Sequence, residues 1–264
     1  MRVRIIFQLK NRGAVAPFHH QHLIAKMFDD MKTEIGSKED TENMLCFSGI
    51  KGQTKVGKRG LYYFSSRVTI VVTSHDAEFL KAILKNILSK DEISLGELIL
   101  IPEGIEKEKP LDYEEKTKYV AISPIIPVGY FGQNKSMLTN FLDPTSDEFS
   151  DYLYESTIAR MESSGRFSEE EITSFYRFQV VPDHDYMTKL KRNNKKFSRI
   201  YLVEIQGEDV ELRGYTLPLA IYAHPTVQQF IFECGFGDYT DKGYGLLDIA
   251  NVNPLDRVES TSLD

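Results

Sequence analysis

The chain has 264 residues, 41% of them hydrophobic and 11% aromatic, which supplies a folded core and excludes a disordered chain. Lys and Arg total 32 against 39 Asp and Glu, a net charge of −7 that excludes a uniformly basic nucleic-acid binder but not a local basic surface. The 2 cysteines, Cys46 and Cys234, lie far apart, so they form neither a disulfide framework nor a zinc cluster and suit a reducing, cytoplasmic setting. The opening MRVRIIFQLK turns polar too soon for a signal peptide. No apolar run approaches the roughly 20 residues of a membrane span, so no membrane partner is expected.

Taken in order, residues 2–9 alternate, with Val3, Ile5 and Phe7 on one side, and read as a strand. Pro17 opens a helical segment in which Leu23, Ile24, Met27, Phe28, Met31 and Ile35 recur at helical spacing, and Gly36 is the stop. Residues 44–50 read as a short strand, 60–74 as β-rich, 76–89 as an amphipathic helix carrying Phe79, Leu80, Ile83, Leu84 and Ile87, and 92–101 as a further strand. The order β-α-β-β-α-β is the ferredoxin-like pattern. Residues 102–117 are charged and hold two prolines, which suggests a linker centred on 104–117.

The pattern then restarts. Residues 118–128 read as a strand, 146–164 as a helix, 168–176 as a second short helix, 177–181 and 198–205 as strands, 225–234 as a short helix and 243–249 as a closing strand. Residues 215–221 are apolar without a clear period. The expected fold is therefore α+β, two tandem ferredoxin-like (RRM-like) domains: 1–103, a linker at 104–117, a second domain at 118–252 and a polar tail at 253–264.

The second half ends in IFECGFGDYTDKGYGLLDI. Here Gly235, Gly237, Gly243 and Gly245 form two glycine-aromatic-glycine triplets around a polar loop with Lys242 near its end. Glycine permits a positive φ and the close approach of another backbone or a phosphate. Either the loop exposes N–H groups to a phosphate, or it is a bulged closure that packs the fold. It is neither a nucleotide-type phosphate loop, which needs G-x-x-x-x-G-K-[ST], nor a dinucleotide fingerprint.

These residues resemble the terminal loop of the RAMP superfamily and, more narrowly, of the CRISPR repeat-RNA endoribonucleases of the Cas-six family. The run PFHHQHLIAKMF is similar to that family's first helix. The resemblance implies a tandem ferredoxin-like fold and cleavage of CRISPR repeat transcripts into guide RNAs without metal or cofactor. In that reaction the ribose 2′-OH attacks the adjacent phosphate, leaving a 2′,3′-cyclic phosphate and a 5′-OH. It implies repeat RNA as partner, with other Cas proteins and either a monomer or a homodimer left open.

Basic material is local. The run KLKRNNKKFSR places Lys189, Lys191, Arg192, Lys195, Lys196 and Arg199 within eleven residues without an acid, as a loop or hairpin. A second cluster, Lys51, Lys55, Lys58 and Arg59, lies among glycines and reads as a basic loop. Either is a solvated segment or a set of phosphate contacts.

The chemistry needs a proton-transfer group and a cation for the phosphorane charge. Histidine titrates near neutrality, and His19, His20 and His22 cluster at the start of the first helix. With a helix running from Pro17 the apolar stripe extends back to His20, which then points to the core; in an extended lead-in His20 and His22 would share a side instead. His19, His22 and Lys26 share the other face, and His22 and Lys26 are helical neighbours. His22 is the first candidate, then His19 and His20. Several members of the family it resembles place the catalytic histidine at the end of the first helix or in the loop after it; between Gly36 and Gly60 this chain has none. Ser48 stands in that place, with Lys51 beside it. That departure leaves a second reading open, a non-catalytic RNA-binding RAMP subunit. The run PDHDY at 182–186 does not read as a metal site, because adjacent ligands in a strand cannot converge on one ion.

Overall fold

The computed structural model describes residues 1–37, 45–128, 140–205 and 207–259. The chain forms two compact units, one of Met1–Pro110 with Asp241–Gly243 and the residues from Asn253 on, the other of Leu111–Thr240 with Tyr244–Val252. Among the described residues no helix is long and apolar enough to cross a membrane.

In the first unit the elements run β1 (Arg2–Leu9), β2 (Val15–Ala16), α1 (Gln21–Glu34), β3 (Leu45–Phe47), β4 (Thr54–Val56), β5 (Leu61–Tyr63), β6 (Arg67–Ser74), α2 (Ala77–Leu88), β7 (Ile93–Leu95) and β8 (Leu98–Glu108). The antiparallel sheet has the order β8-β1-β6-β3, with β7 also pairing β8. Strand alternation in β1 turns Val3, Ile5, Phe7 and Leu9 to one face. There they join Ile24, Met27, Phe28 and Met31 of α1 and Phe79, Leu80, Ile83, Leu84 and Ile87 of α2 in one core. Asp76 starts α2 by accepting a hydrogen bond from the N–H of Phe79 (2.9 Å). The separate sheet β2-β5-β4 is built on a hairpin.

The second unit runs β9 (Lys116–Ala121), α3 (Asp147–Ser163), α4 (Glu169–Ser174), β10 (Phe178–Pro182), α5 (His184–Arg192), β11 (Ser198–Ile205), β12 (Glu208–Tyr215), β13 (Pro218–Ala223), α6 (Pro225–Cys234) and β14 (Leu247–Ile249). Its sheet order is β10-β13-β9-β14, all antiparallel, and β11 and β12 form a separate ribbon. Ser146, Ser168, Asp183 and His224 cap α3, α4, α5 and α6 with side-chain acceptors.

Several expectations are corrected. Residues 104–108 are not linker, because β8 continues through them and pairs with β1. The tail is ordered at its start: Pro254–Arg257 makes a 3₁₀ turn and β15 (Val258–Glu259) pairs with β8. Arg257 is buried and its guanidinium lies 3.3 Å from Glu108, an ion pair whose partner is also buried. Residues 260–264 of that tail, and Met44 of the expected strand at 44–50, lie outside the described residues. The first basic cluster is largely the β4–β5 hairpin rather than a loop. The start of the second, Lys189 to Arg192, is the end of helix α5, in which no residue is buried; its apolar positions were too few to mark a period.

Candidate active site and nucleic-acid interface

Helix α1 begins at Gln21, later than Pro17, with His20 at its N-cap. The His20 ring is buried and both nitrogens are used: Nδ1 lies 3.0 Å from the Pro17 carbonyl, and Nε2 accepts from the N–H of Ile50 at 3.1 Å. Nε2 as acceptor fixes the proton on Nδ1, a neutral tautomer. Burial pushes the His20 pKa below its ordinary value, the Pro17 bond opposing and His22 and His19 adding slightly. A neutral imidazole with no nitrogen to spare is no proton shuttle. His20 is thereby removed from the catalytic candidates and becomes the residue that pins the 48–51 loop to the start of α1.

Ser48 is removed for the same kind of reason. It is buried, its Oγ donates to the Gly49 carbonyl (2.8 Å) and accepts from the N–H of Val71 (3.0 Å). Lys51 is half-buried, and its backbone bridges Thr69 in both directions. Because Ile50 is bonded to His20, Lys51 stands beside the start of α1.

His22 and Lys26 are exposed, one turn apart on α1, and His19 is half-buried. The next turn of that face carries Asp29. The Lys242 ammonium lies 3.8 Å from the Asp29 carboxylate and 3.8 Å from that of Asp241, and Lys32 lies 3.0 Å from Asp29. Gly243 lies against Phe47, where a Cβ would come within 2.3 Å of the ring. His22, Lys26 and Asp29 thus line one face of α1, Asp29 standing about 10 Å along the helix axis from His22, two turns at 1.5 Å per residue, and Lys242 lies against Asp29. Asp29 was legible in the sequence, as the next position of the face that His22 and Lys26 define.

The glycine loop resolves toward closure of the fold. Gly235, Gly237, Gly243 and Gly245 are buried, with φ between +74° and +85°. A Cβ on Gly237 would lie 2.6 Å from the Ile126 carbonyl oxygen, and one on Gly245 2.1 Å from that of Phe236. Three of its N–H groups are used internally: Phe236 donates to Gly245 (2.8 Å), Asp238 to Ile126 (2.8 Å) and Gly245 to Pro124 (2.7 Å). Arg160, at the end of α3, donates to the carbonyls of Gly235 and Gly237 at 3.0 Å each and to that of Cys234. The Asp238 carboxylate accepts from Val128 N–H and Ser156 Oγ, both at 2.8 Å. Phe236 and Tyr244, the central residues of the triplets, are core. The buried glycines serve closure of the fold, and the loop offers solvent the side chains of Asp241 and Lys242. Arg160 left no trace in the sequence, because its partners are carbonyls some 75 residues away.

Cys46 and Cys234 are buried and form no disulfide, and burial pushes the Cys234 thiol up to about 11, an inert apolar filler. On the β4–β5 hairpin, Lys55, Lys58 and Arg59 are exposed; the Lys55 ammonium lies 5.2 Å from the centroid of the half-exposed Phe64 ring, and Arg59 pairs with Glu97. Of the second basic run, Lys189, Lys191 and Arg192 lie on α5, Lys195 and Lys196 in the turn after it and Arg199 on β11, all exposed.

Known proteins can be set beside this geometry. Residues 105–249 match the family model described as CRISPR associated protein Cas6, C-terminal, a stretch that holds β9 to β14 and the glycine loop. The chain is 21% identical over 257 residues to the Pyrococcus furiosus protein described as CRISPR-associated endoribonuclease-like protein Cas6, covering 94% of this chain and 98% of the relative. Its fold is similar to the structure of a Cas6-related gene product of Pyrococcus furiosus (TM-score 0.76, 20% identity, 96% of this chain and 99% of the other). It is also similar to that of a RAMP protein described as binding different RNA substrates (TM-score 0.73, 18% identity, 95% and 100%). The likeness confirms an α+β fold with antiparallel sheets. The family model alone spans more than half of the sequence, and the chain belongs to the Cas6 family of CRISPR-associated proteins.

Proposed function

We propose that the protein is a metal-independent endoribonuclease that cuts CRISPR repeat transcripts into guide RNAs. Family membership supports the substrate class. The observation that carries the chemistry is the exposed His22–Lys26 pair on α1, with Lys242 of the glycine loop against Asp29 of the same helix. In the proposed step the 2′-oxygen forms a bond to the adjacent phosphorus while the bond from phosphorus to the 5′-oxygen breaks. A proton leaves the 2′-OH and a proton reaches the 5′-oxygen, giving a 2′,3′-cyclic phosphate and a 5′-OH. His22 is the proton-transfer group, with His19 next in line, and Lys26 and Lys51 are the cations set against the phosphorane charge. The exposed lysines and arginines of α5 and of the β4–β5 hairpin hold the backbone of the repeat RNA.

The tandem ferredoxin-like architecture is part of the same reading. In each unit the first strand lies between the fourth and the third, with the second outermost: β8-β1-β6-β3 and β14-β9-β13-β10. A helix follows the first and the third strand in both, and the boundary falls between β8 and β9.

The test is cleavage of labelled repeat RNA in EDTA under single turnover, with binding measured in parallel. His22→Ala is expected to bind normally and to lower the rate by about 10²–10⁴-fold, the range for loss of a general acid or base. If His22→Ala cuts at the wild-type rate, the role passes to His19. A wild type that binds but never cuts is an RNA carrier, and the enzymatic reading is then wrong.

A further inference from the structure

Outside the α1 face and the glycine loop, the second unit carries an open cavity of about 630 Å³ between α5, the turn after it and the segment around Phe141. That volume lies within the range of roughly 300–1,000 Å³ typical of small-ligand sites. Phe141 is 54% exposed, a large apolar ring left in water. It is nonetheless held in place: its ring centroid lies 6.2 Å from Phe197 and 6.2 Å from Tyr215, and the N–H of the next residue, Leu142, donates to the Tyr215 hydroxyl at 2.7 Å. The ring is thus held by two aromatic neighbours and also lines the cavity.

Around that ring stand Lys191, Lys195, Lys196 and Arg213. Asp143 is on the same wall; its Oδ1 accepts from Thr145 N–H (2.9 Å) and Thr145 Oγ1 (2.8 Å). These bonds hold the Asp143 pKa below the usual carboxylate range, so the cavity wall carries one anion tied by Oδ1 to its own turn among the cations.

A flat aromatic face bordered by four cations matches a nucleotide, whose base stacks and whose phosphates are anionic. A free phosphate would leave the ring unused, and so would an acidic peptide without aromatic groups. We infer that this cavity is a subsite for one unpaired nucleotide of the bound RNA, with its base on Phe141 and its flanking phosphates on Lys191, Lys195 and Lys196. The base must be unpaired, because within a duplex both of its faces are covered by neighbours. The inference takes its ligand from the proposed RNA-processing function and adds that the substrate is single-stranded at this point, whatever its structure elsewhere.

The experiment places 2-aminopurine at single positions along the repeat RNA and reads its fluorescence on binding to wild type, Phe141→Ala and Phe141→Leu. One position is expected to be quenched by wild type and released in both variants. Phe141→Leu keeps apolar bulk in the site and guards against a folding defect. Phe141→Ala is expected to weaken binding by about 5- to 100-fold, the effect of removing a base-stacking aromatic. Lys195→Ala with Lys196→Ala is expected to lower the salt slope of binding by about 0.7 per lost contact on single-stranded RNA. If wild type binds RNA, no probe position responds to either Phe141 variant and affinity stays within twofold, the inference is overturned while the proposed function stands. If wild type binds no repeat RNA, the proposed function falls and the inference falls with it.

Discussion

The glycines at 235, 237, 243 and 245 are buried with the surrounding backbone hydrogen-bonded inside the fold, whereas the cations of 189–199 all stand in water, three of them on a helix without a buried residue. The difference is between groups the fold has used and groups it has left free. A backbone N–H that already donates to a buried carbonyl cannot also donate to a phosphate without leaving that carbonyl unsatisfied, a cost of about 1–3 kcal/mol. A lysine on α5 has no such commitment. The glycine loop therefore shapes the protein and presents Lys242, while α5 and the turn after it supply charge.

The contrast is most exposed to failure at Gly245. Gly245→Ala places a Cβ against the Phe236 carbonyl at positive φ, and a loss of about 3–5 kcal/mol in chemical denaturation is expected, at the upper end of single substitutions. A loss below about 0.5 kcal/mol would mean that the loop is not built as described. Arg160→Ala follows. It strips donors from the carbonyls of Cys234, Gly235 and Gly237, and about 2–4 kcal/mol is expected from the unsatisfied groups. Arg160→Lys should recover part of this at most, because an ammonium cannot reproduce the guanidinium fork.

His20→Ala comes next, at about 2 kcal/mol, because it leaves the Ile50 N–H without its acceptor in a buried setting. Its pH dependence has a definite sign. The folded His20 pKa lies below the unfolded value of 6.5, so the unfolded chain binds the extra proton first. This contribution to stability is present above pH 6.5 and is lost as pH falls below it toward the lowered folded value. Denaturation midpoints measured from pH 7.5 down to 5 should fall less steeply for His20→Ala than for wild type; parallel curves would refute the neutral, buried ring. The smallest effect on stability belongs to the basic run. Replacing Lys189, Lys191, Lys195 and Lys196 together by alanine should leave the midpoint unchanged, while RNA affinity falls and depends less on salt. A large loss of stability there would erase the distinction between the two regions.

Much of the fold was legible locally. The alternation in β1, the apolar stripes of α1 and α2 and the Asp76 cap each repeat at the period of one element, and a period survives in sequence. The continuation of β8 to Glu108 was not, because its partner β1 lies about a hundred residues away and its own residues are mostly polar. Helix α5 and strand β12 were missed for the related reason that neither buries a regular apolar face.

The candidate site divides in the same way. The sequence alone determined that His22 and Lys26 are helical neighbours; it left His20 open, because helical spacing applies to His20 only if the helix already includes it, and α1 starts at Gln21. It also determined the family, because the double glycine triplet is a local pattern. Only the tertiary structure decided that the His20 ring is locked by Pro17 and Ile50, that Ser48 is a backbone clamp and that Arg160 holds the glycine loop. The physical reason is common to all three. A hydrogen bond between groups distant in sequence has no period, and it is set by where packing of the core brings the backbone.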